Sequence, residues 1–162
     1  MPVLIMMNKP YNDGEALETV VHYVLRTGSG YCGGYGVDLN YPVQQMQQVK
    51  NLWGKDHGRR VRHFILSFKR SESIGYDQAM KLGFEICRYY GDYQSVYGLH
   101  HDTGHLHLHF AVNTVSYRDG KMYAGGVSDW HSLRGYIQGL MPQWYVDLRV
   151  SDGTNSREDL EE

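Results

Sequence analysis

Five histidines lie within ten residues in the middle of this 162-residue chain. Side chains along a β-strand alternate between the two faces of a sheet, so every second residue from His105 to position 113 faces one way while apolar residues face the core. Two histidines at i and i+2 can grip one ion, and a third ligand can come from the end of the preceding strand. The spacing therefore predicts a metal site formed by His100, His107 and His109.

Neutral imidazole nitrogens suit a divalent transition metal such as Zn, Ni, Co or Mn, and they suit Mg less well. We therefore expect a divalent cation from the set Mn, Mg, Zn, Ni and Co, with open positions left for a substrate. A sheet face that merely happens to be rich in histidine is the alternative, but five clustered histidines beside an aspartate favour the metal. That aspartate, Asp102, is either a further ligand or, by preference, an acceptor that fixes an imidazole tautomer.

The elements that position these histidines are predicted by hydrophobic periodicity and turn residues. Short apolar runs predict strands over residues 3–7, 63–68, 94–100, 106–115 and 145–150. Apolar residues at helical spacing predict helices over residues 14–26, 41–53, 76–90 and 129–144. Five glycines in residues 28–36 predict a mobile loop, and an Asp-Gly pair predicts a hairpin over 117–123. This pattern predicts an α+β fold with a central, mainly antiparallel β-sheet flanked by helices.

The bulk composition excludes a disordered chain, since 41% of the residues are apolar. It does not show the excess of basic residues that is typical of nucleic-acid-binding proteins. The net charge is −2, with acidic residues concentrated in 157–162 and basic residues clustered in 55–70. The two cysteines are far apart and indicate no disulfide framework, and the apolar start is too short for a membrane span. We expect one domain over residues 1–150, an acidic tail over 151–162, and a cytoplasmic location.

The histidine run resembles the third motif of the HUH endonucleases, and specifically of relaxases of the mobilisation class, which includes agrobacterial and plasmid nickases. The matching residues are His100-x-Asp102 and His107-x-His109, with Asn113 after them. The resemblance implies an HUH endonuclease fold for residues 1–150.

Two further motifs appear in the expected order. Residues 21–26 resemble the first motif of these relaxases, whose tyrosine is the nucleophile, and that tyrosine here is Tyr23. Residues 63–68 resemble the second motif, whose serine contacts DNA near the cut, and that serine here is Ser67. The similarity to relaxases of Gram-positive mobile elements extends from about residue 5 to residue 125.

The resemblance implies a metal-dependent nickase and strand transferase that cleaves single-stranded DNA at an origin of transfer and starts conjugative mobilisation in a bacterial cytoplasm. Tyr23 would form a 5′-phosphotyrosyl link, with Asp102 assisting, and accessory relaxosome proteins are expected partners. Arg59, Arg60 and Arg62 are candidates for contacts to backbone phosphates.

Several alternatives stay open at this level. A rolling-circle replication initiator or a single-tyrosine transposase would use the same chemistry on another substrate. A hydrolase with a metal-bound water would make Tyr23 dispensable, and a non-catalytic strand binder would use the histidines for a structural ion. Tyr31 and Tyr35 lie in the glycine-rich segment and could replace Tyr23 as nucleophile. His63 shares a strand face with Ser67, and its role is undecided.

Overall fold

The computed structural model describes residues 1–27, 30–101, 105–123 and 125–152. The strands in these ranges are β1 (Val3–Met7), β2 (Cys32–Tyr35), β3 (Val61–Phe68), β4 (Ser95–His100), β5 (Leu106–Asn113) and β6 (Asp147–Ser151). The helices are α1 (Ala16–Leu25), α2 (Pro42–Leu52), α3 (Tyr76–Tyr89) and α4 (Val127–Leu140), with a short 3₁₀ helix at Arg70–Glu72. All predicted helices and strands are present, although α4 begins and ends a few residues earlier than expected.

The strands form one sheet in the order β2-β4-β5-β3-β1-β6. Every neighbouring pair is antiparallel except β1 and β6, which run parallel. The predicted α+β class with a mainly antiparallel sheet flanked by helices is therefore confirmed.

Helices cover both faces of the sheet, and the two faces differ in the size of their side chains. On one face, large apolar residues of β3 and β5 pack against α3 and α4, and the rings of Phe64 and Phe110 stack with their centroids 4.6 Å apart. On the other face, α1 and the α2 residue Met46 pack on smaller residues such as Val96 and Ala111. The histidine strand lies between the two layers, so its polar side chains occupy a partly covered face rather than an open one.

The predicted mobile loop over residues 28–36 is wrong for its second half, which forms the edge strand β2. Gly33 in this strand lies directly opposite Tyr97 of β4. A Cβ atom at Gly33 would lie 2.4 Å from the Tyr97 hydroxyl, so only glycine lets β2 pass across that ring. The glycines of β2 therefore allow this strand to lie close to the side chains of β4. Residues 28 and 29 lie outside the described ranges.

The remaining segments agree with the expectations in part. The predicted hairpin is present as a single bridge between Val115 and Met122, with Gly120 in its turn at φ +72°. β6 includes Ser151, the first residue of the predicted tail, and residues 153–162 lie outside the described ranges. Within those ranges, no helix combines the length and the apolar character needed to cross a bilayer.

Candidate active site

Strand register brings the predicted site residues together on the α1 face of the sheet. Ser67, His107 and His100 lie opposite one another on β3, β5 and β4, and so form one row across three strands. His109 occupies the next row toward the other end of the sheet, opposite Gly98. Because directly paired residues point to the same side of a sheet, these side chains share one face, as the alternation predicted.

The rings of His100, His107 and His109 lie close together and are called the histidine group below; His100 and His109 are buried, and His107 is half-buried. The ring centroid of His109 lies 4.1 Å from that of His100 and 6.3 Å from that of His107. Burial, together with His63 and the other two imidazoles nearby, holds the pKa of His109 well below its usual value. The ring is therefore neutral at physiological pH and keeps a nitrogen lone pair, which is the form that binds metals.

Tyr23 lies in the last turn of α1, above this histidine group. Its ring centroid is 5.2 Å from that of His109, 5.5 Å from that of His100 and 5.9 Å from that of His63. The side chain is 51% exposed, so a ligand arriving from solvent can reach it. The structure thus combines an accessible phenol with the buried imidazoles.

The two alternative tyrosines have other neighbours. Tyr31 packs against Tyr76, with centroids 5.1 Å apart, and Tyr35 packs against Phe84, with centroids 5.8 Å apart. This arrangement favours Tyr23 as the tyrosine of the site.

Gly98 is a residue of this site that the sequence reasoning did not single out. A Cβ atom there would lie 2.1 Å from the Val24 carbonyl oxygen and 2.6 Å from Thr27 Cγ2. The missing side chain lets the end of α1 lie directly on β4, where His100 Nε2 donates to the Val24 carbonyl at 2.9 Å. An isolated glycine inside a strand indicates such a close approach, and that signal was available in the sequence.

Neutral imidazoles on one face fit the chemistry of a divalent transition-metal site. Within the described ranges, however, no three His, Cys, Asp or Glu side chains converge closely enough to hold an ion as they stand. Metal binding by His100, His107 and His109 would therefore require at least one of these rings to move. Asp102, the predicted outer acceptor, lies outside the described ranges.

His63, whose role the sequence left open, contacts the histidine group from the neighbouring strand. Its Nε2 lies 3.4 Å from His109 Nδ1, and its Nδ1 lies 3.2 Å from the Tyr11 hydroxyl. Burial, assisted by the nearby Lys9 and His100, lowers the pKa of His63 to about 4. The ring is thus a neutral hydrogen-bonding group, with one nitrogen toward His109 and the other toward Tyr11.

The structure does not bring Arg62 to the site. Its side chain lies on the opposite face of β3 from His63, is 5% exposed, and stacks over the Tyr123 ring at 5.0 Å. The guanidinium also donates to the Gly125 carbonyl. A phosphate contact by Arg62 therefore stays a prediction, and it would require this buried side chain to leave Tyr123.

Arg59 and Arg60 are engaged near the start of β3. Arg59 donates to the carbonyl of Lys9, and Arg60 donates to the carbonyl of Asn12 at 2.9 Å and to Asp56 at 3.1 Å. A phosphate contact by these two arginines stays a prediction. Ser67, by contrast, lies in the row of His107 with 7% of its surface exposed, and its DNA contact also stays a prediction.

Comparison with known proteins gives one fold relative and several sequence relatives. The chain is 10% identical to a structure solved for the molecular basis of vancomycin resistance transfer in Staphylococcus aureus, with a TM-score of 0.50 over 77% of this chain and 76% of that one. It is 30% identical to the protein Rlx of Staphylococcus aureus over 91 residues, and this alignment covers 56% of this chain and 28% of Rlx. It is 37% identical over 57 residues to MobA of Acidithiobacillus ferrooxidans, covering 34% and 14% of the two chains.

The chain thus spans less than a third of the length of these curated relatives. Residues 23–141 match the family model of the MobA/VirD2-like relaxase nuclease domain. That match covers most of the chain and includes Tyr23 and the whole histidine group. The resemblance drawn from the sequence motifs is confirmed: this chain belongs to the family of MobA/VirD2-like relaxase nuclease domains.

Proposed function

We propose that this chain nicks single-stranded DNA at an origin of transfer, in a site- and strand-specific manner, with Tyr23 as the nucleophile. The observation that supports this most directly is the position of Tyr23, whose half-exposed ring contacts His63, His100 and His109 together. A nucleophilic phenol must be accessible to a phosphate and must lie next to polar groups. Tyr23 is accessible from solvent and lies next to three imidazoles.

The proposed reaction exchanges one phosphodiester for another. The Tyr23 phenol loses its proton to solvent, and its oxygen attacks phosphorus in line with the leaving 3′-oxygen. The bond from phosphorus to the 3′-oxygen breaks, and that oxygen takes up a proton. The 5′ end of the cut strand remains on Tyr23 as an ester. Because no water enters the reaction, the reverse attack by a 3′-hydroxyl rejoins DNA.

We further propose that a divalent cation binds His100, His107 and His109, with Asp102 as an outer acceptor. Such a cation would neutralise negative charge on the phosphate oxygens. The protein's own residues do the positioning: the neutral imidazoles leave lone pairs for a ligand, and Ser67 in the adjacent position can donate its hydroxyl to the phosphate. Gly98 and His100 hold the end of α1, and therefore Tyr23, against the sheet.

Exposed aromatic rings at the same end of the sheet offer surfaces on which unpaired bases can stack. Tyr31 and Tyr76 are 38% and 37% exposed, and their rings are in contact. The Tyr76 ring also lies 5.8 Å from that of the exposed His101, which directly follows His100 of the site. Single-strand binders commonly stack bases on such rings, so we propose that bases next to the cut lie on this surface.

Membership of the relaxase family supports a role in conjugative mobilisation of a plasmid or integrative element, with accessory relaxosome proteins as partners. The test is incubation with an end-labelled single-stranded oligonucleotide that carries the cognate origin sequence. We expect a covalent protein–DNA product on a denaturing gel, with peptide mass spectrometry placing the nucleotide on Tyr23. Cleavage that releases a free 5′-phosphate would instead indicate a hydrolase with a metal-bound water.

A further inference from the structure

We infer that His63 and Tyr11 form a hydrogen-bonded support behind His109, which fixes the tautomer and orientation of that ring for metal binding. This inference rests on the metal site of the proposed function and extends it to residues that do not touch the metal. His63 and Tyr11 are positioning residues here, because they would act through His109.

The three side chains form an ordered series of contacts. His109 Nδ1 lies 3.4 Å from His63 Nε2, and His63 Nδ1 lies 3.2 Å from the Tyr11 hydroxyl. For His109 to ligate through Nε2, its proton must be on Nδ1. His63 Nε2 must then accept that proton, and His63 Nδ1–H must donate to the Tyr11 oxygen. Ligating histidines generally donate their second nitrogen to an outer acceptor in this way.

The burial of His63 favours this fixed arrangement. The residue is 7% exposed, and its neutral form has one donor nitrogen and one acceptor nitrogen. Both nitrogens have a partner in the structure, so neither is left to bind a cation directly. Burial also raises the pKa of Tyr11 to about 12, so Tyr11 is a neutral phenol, and its oxygen can accept from His63.

The loop that carries Tyr11 is itself held in an unusual conformation. Tyr11 has φ +46°, a left-handed backbone angle that is rare for a residue with a side chain and costs about 1 kcal/mol or more. The Arg60 amide donates to the Tyr11 carbonyl at 2.8 Å, and the Arg59 guanidinium donates to the Lys9 carbonyl on the same loop. These contacts give Arg59 and Arg60 a structural task, which is to hold Tyr11 against His63.

The test measures Co²⁺ affinity by titration, because the visible bands of bound cobalt report ligand geometry without any DNA. In His63→Leu, which fills the space but cannot accept a proton, we expect cobalt affinity to fall about 10- to 100-fold. His63→Gln offers an amide oxygen toward His109 and should recover part of that loss. Tyr11→Phe removes one hydroxyl and should weaken binding several-fold, whereas the exposed Tyr41→Phe serves as the control.

A second readout is the tautomer of His109 in the metal-free protein, measured from its ¹⁵N chemical shifts. We expect the proton on Nδ1, and a proton on Nε2 would overturn the inference. Cobalt affinity within two-fold of wild type in both His63→Leu and Tyr11→Phe would also overturn it. So would a loss in His63→Leu as complete as in His107→Ala, since His63 would then be a ligand. Neither readout depends on Tyr23, so the nicking proposal is tested separately.

Discussion

Tyr23 and a second set of tyrosines, which includes Tyr90 and Tyr123, occupy contrasting surroundings in this protein. Tyr23 stands half exposed over neutral imidazoles at one end of the sheet. Tyr90 and Tyr123 lie at the other end, where their hydroxyls are 3.1 Å apart and Tyr123 also donates to the Asp129 carboxylate. A cavity of about 530 Å³ opens beside this second group, which we call the tyrosine pocket; it is lined by Tyr89, Tyr90, Gly91, Asp92, Tyr93, Tyr123 and Asp129.

The contrast shows why tyrosine content alone says little about reactivity. Burial and the nearby Asp129 raise the pKa of Tyr90, since a phenolate there would be desolvated and would face a carboxylate. Tyr23 instead faces the imidazoles of His63, His100 and His109 and solvent, and a cation held by His100, His107 and His109 would favour its phenolate. A phenol must ionise as it attacks phosphorus, so the surroundings of Tyr23 favour the reaction and those of Tyr90 oppose it.

The strongest test of this contrast removes one tyrosine hydroxyl at each end of the sheet. Tyr23→Phe should lower cleavage and covalent adduct formation by at least ~1,000-fold, because within the described ranges Tyr23 is the tyrosine whose ring contacts both His100 and His109. Tyr90→Phe should retain both. Gel assays on the same oligonucleotide measure the two variants side by side. An adduct in Tyr23→Phe would identify another nucleophile, with Tyr31 next to examine.

The second test removes a predicted ligand. His107→Ala should weaken divalent-cation binding by more than ~100-fold and reduce cleavage accordingly, because two imidazoles hold a cation much less tightly than three. His131→Ala, at an exposed position of α4, is the control. Calorimetric titration with Mn²⁺ and Co²⁺ measures the effect, and chelation followed by metal addition should abolish and restore cleavage. Undiminished metal content with full activity in His107→Ala would exclude this ligand set.

The third test moves Tyr23 without altering it. Gly98→Ala places a Cβ atom against the Val24 carbonyl, so α1 must shift away from the sheet. We expect a stability loss of about 1–3 kcal/mol from overpacking, and about a 100-fold loss of cleavage from displacement of the nucleophile. Gly135→Ala in α4 meets open space and should be neutral or slightly stabilising. Thermal denaturation and cleavage rates measure the two effects, and unchanged cleavage in a folded Gly98→Ala would mean that the position of α1 is not critical.

The sequence predicted most of the fold because its strands and helices have clear periodicity. Alternation along residues 106–113 identified both faces of β5, and one of those faces bears the histidines. The exception was β2, where glycine composition indicated a loop. Its strand character depends on Tyr97 of the neighbouring strand, a contact that local pattern does not encode.

The site was predicted less completely. The resemblance to relaxase motifs pointed to Tyr23 and Ser67, and the spacing of the histidines pointed to His100, His107 and His109. The register of β3, β5 and β4, which the sequence did not predict, places Ser67, His107 and His100 in one row. The sequence could not show that Arg62 turns to the opposite face and packs on Tyr123, since clustered charge indicates only a tendency toward the surface. Nor could it assign His63, whose role depends on Tyr11, 52 residues away in the chain.

A fourth test concerns the aromatic surface beside the site. Tyr76→Ala should weaken binding of a single-stranded oligonucleotide by about 10-fold, because loss of one base–aromatic stack costs about 1–3 kcal/mol. Tyr145→Ala removes another exposed ring, elsewhere on the protein, and is the control. Fluorescence anisotropy at fixed salt measures both affinities. Equal affinity of the two variants would place the bound strand away from the Tyr31–Tyr76 surface.

The smallest expected effect tests the tyrosine pocket through its response to alkali. An unfolded tyrosine titrates near pH 10, whereas burial and Asp129 raise the pKa of folded Tyr90. Above pH 10 the unfolded chain therefore releases a proton that the folded protein retains, and the stability contributed by Tyr90 is lost as the pH rises. Below pH 10 that contribution is fully present.

Tyr90→Phe removes this titration, so between pH 9 and pH 11 its free energy of unfolding should fall by about 1 kcal/mol less than that of wild type. Urea denaturation at each pH measures the difference. Tyr145→Phe is the control, since its side chain is 62% exposed. Parallel pH profiles for Tyr90→Phe and wild type would mean that Tyr90 ionises as readily in the folded protein as in water. The electrostatic contrast between the two tyrosine groups would then be lost, and accessibility alone would distinguish Tyr23.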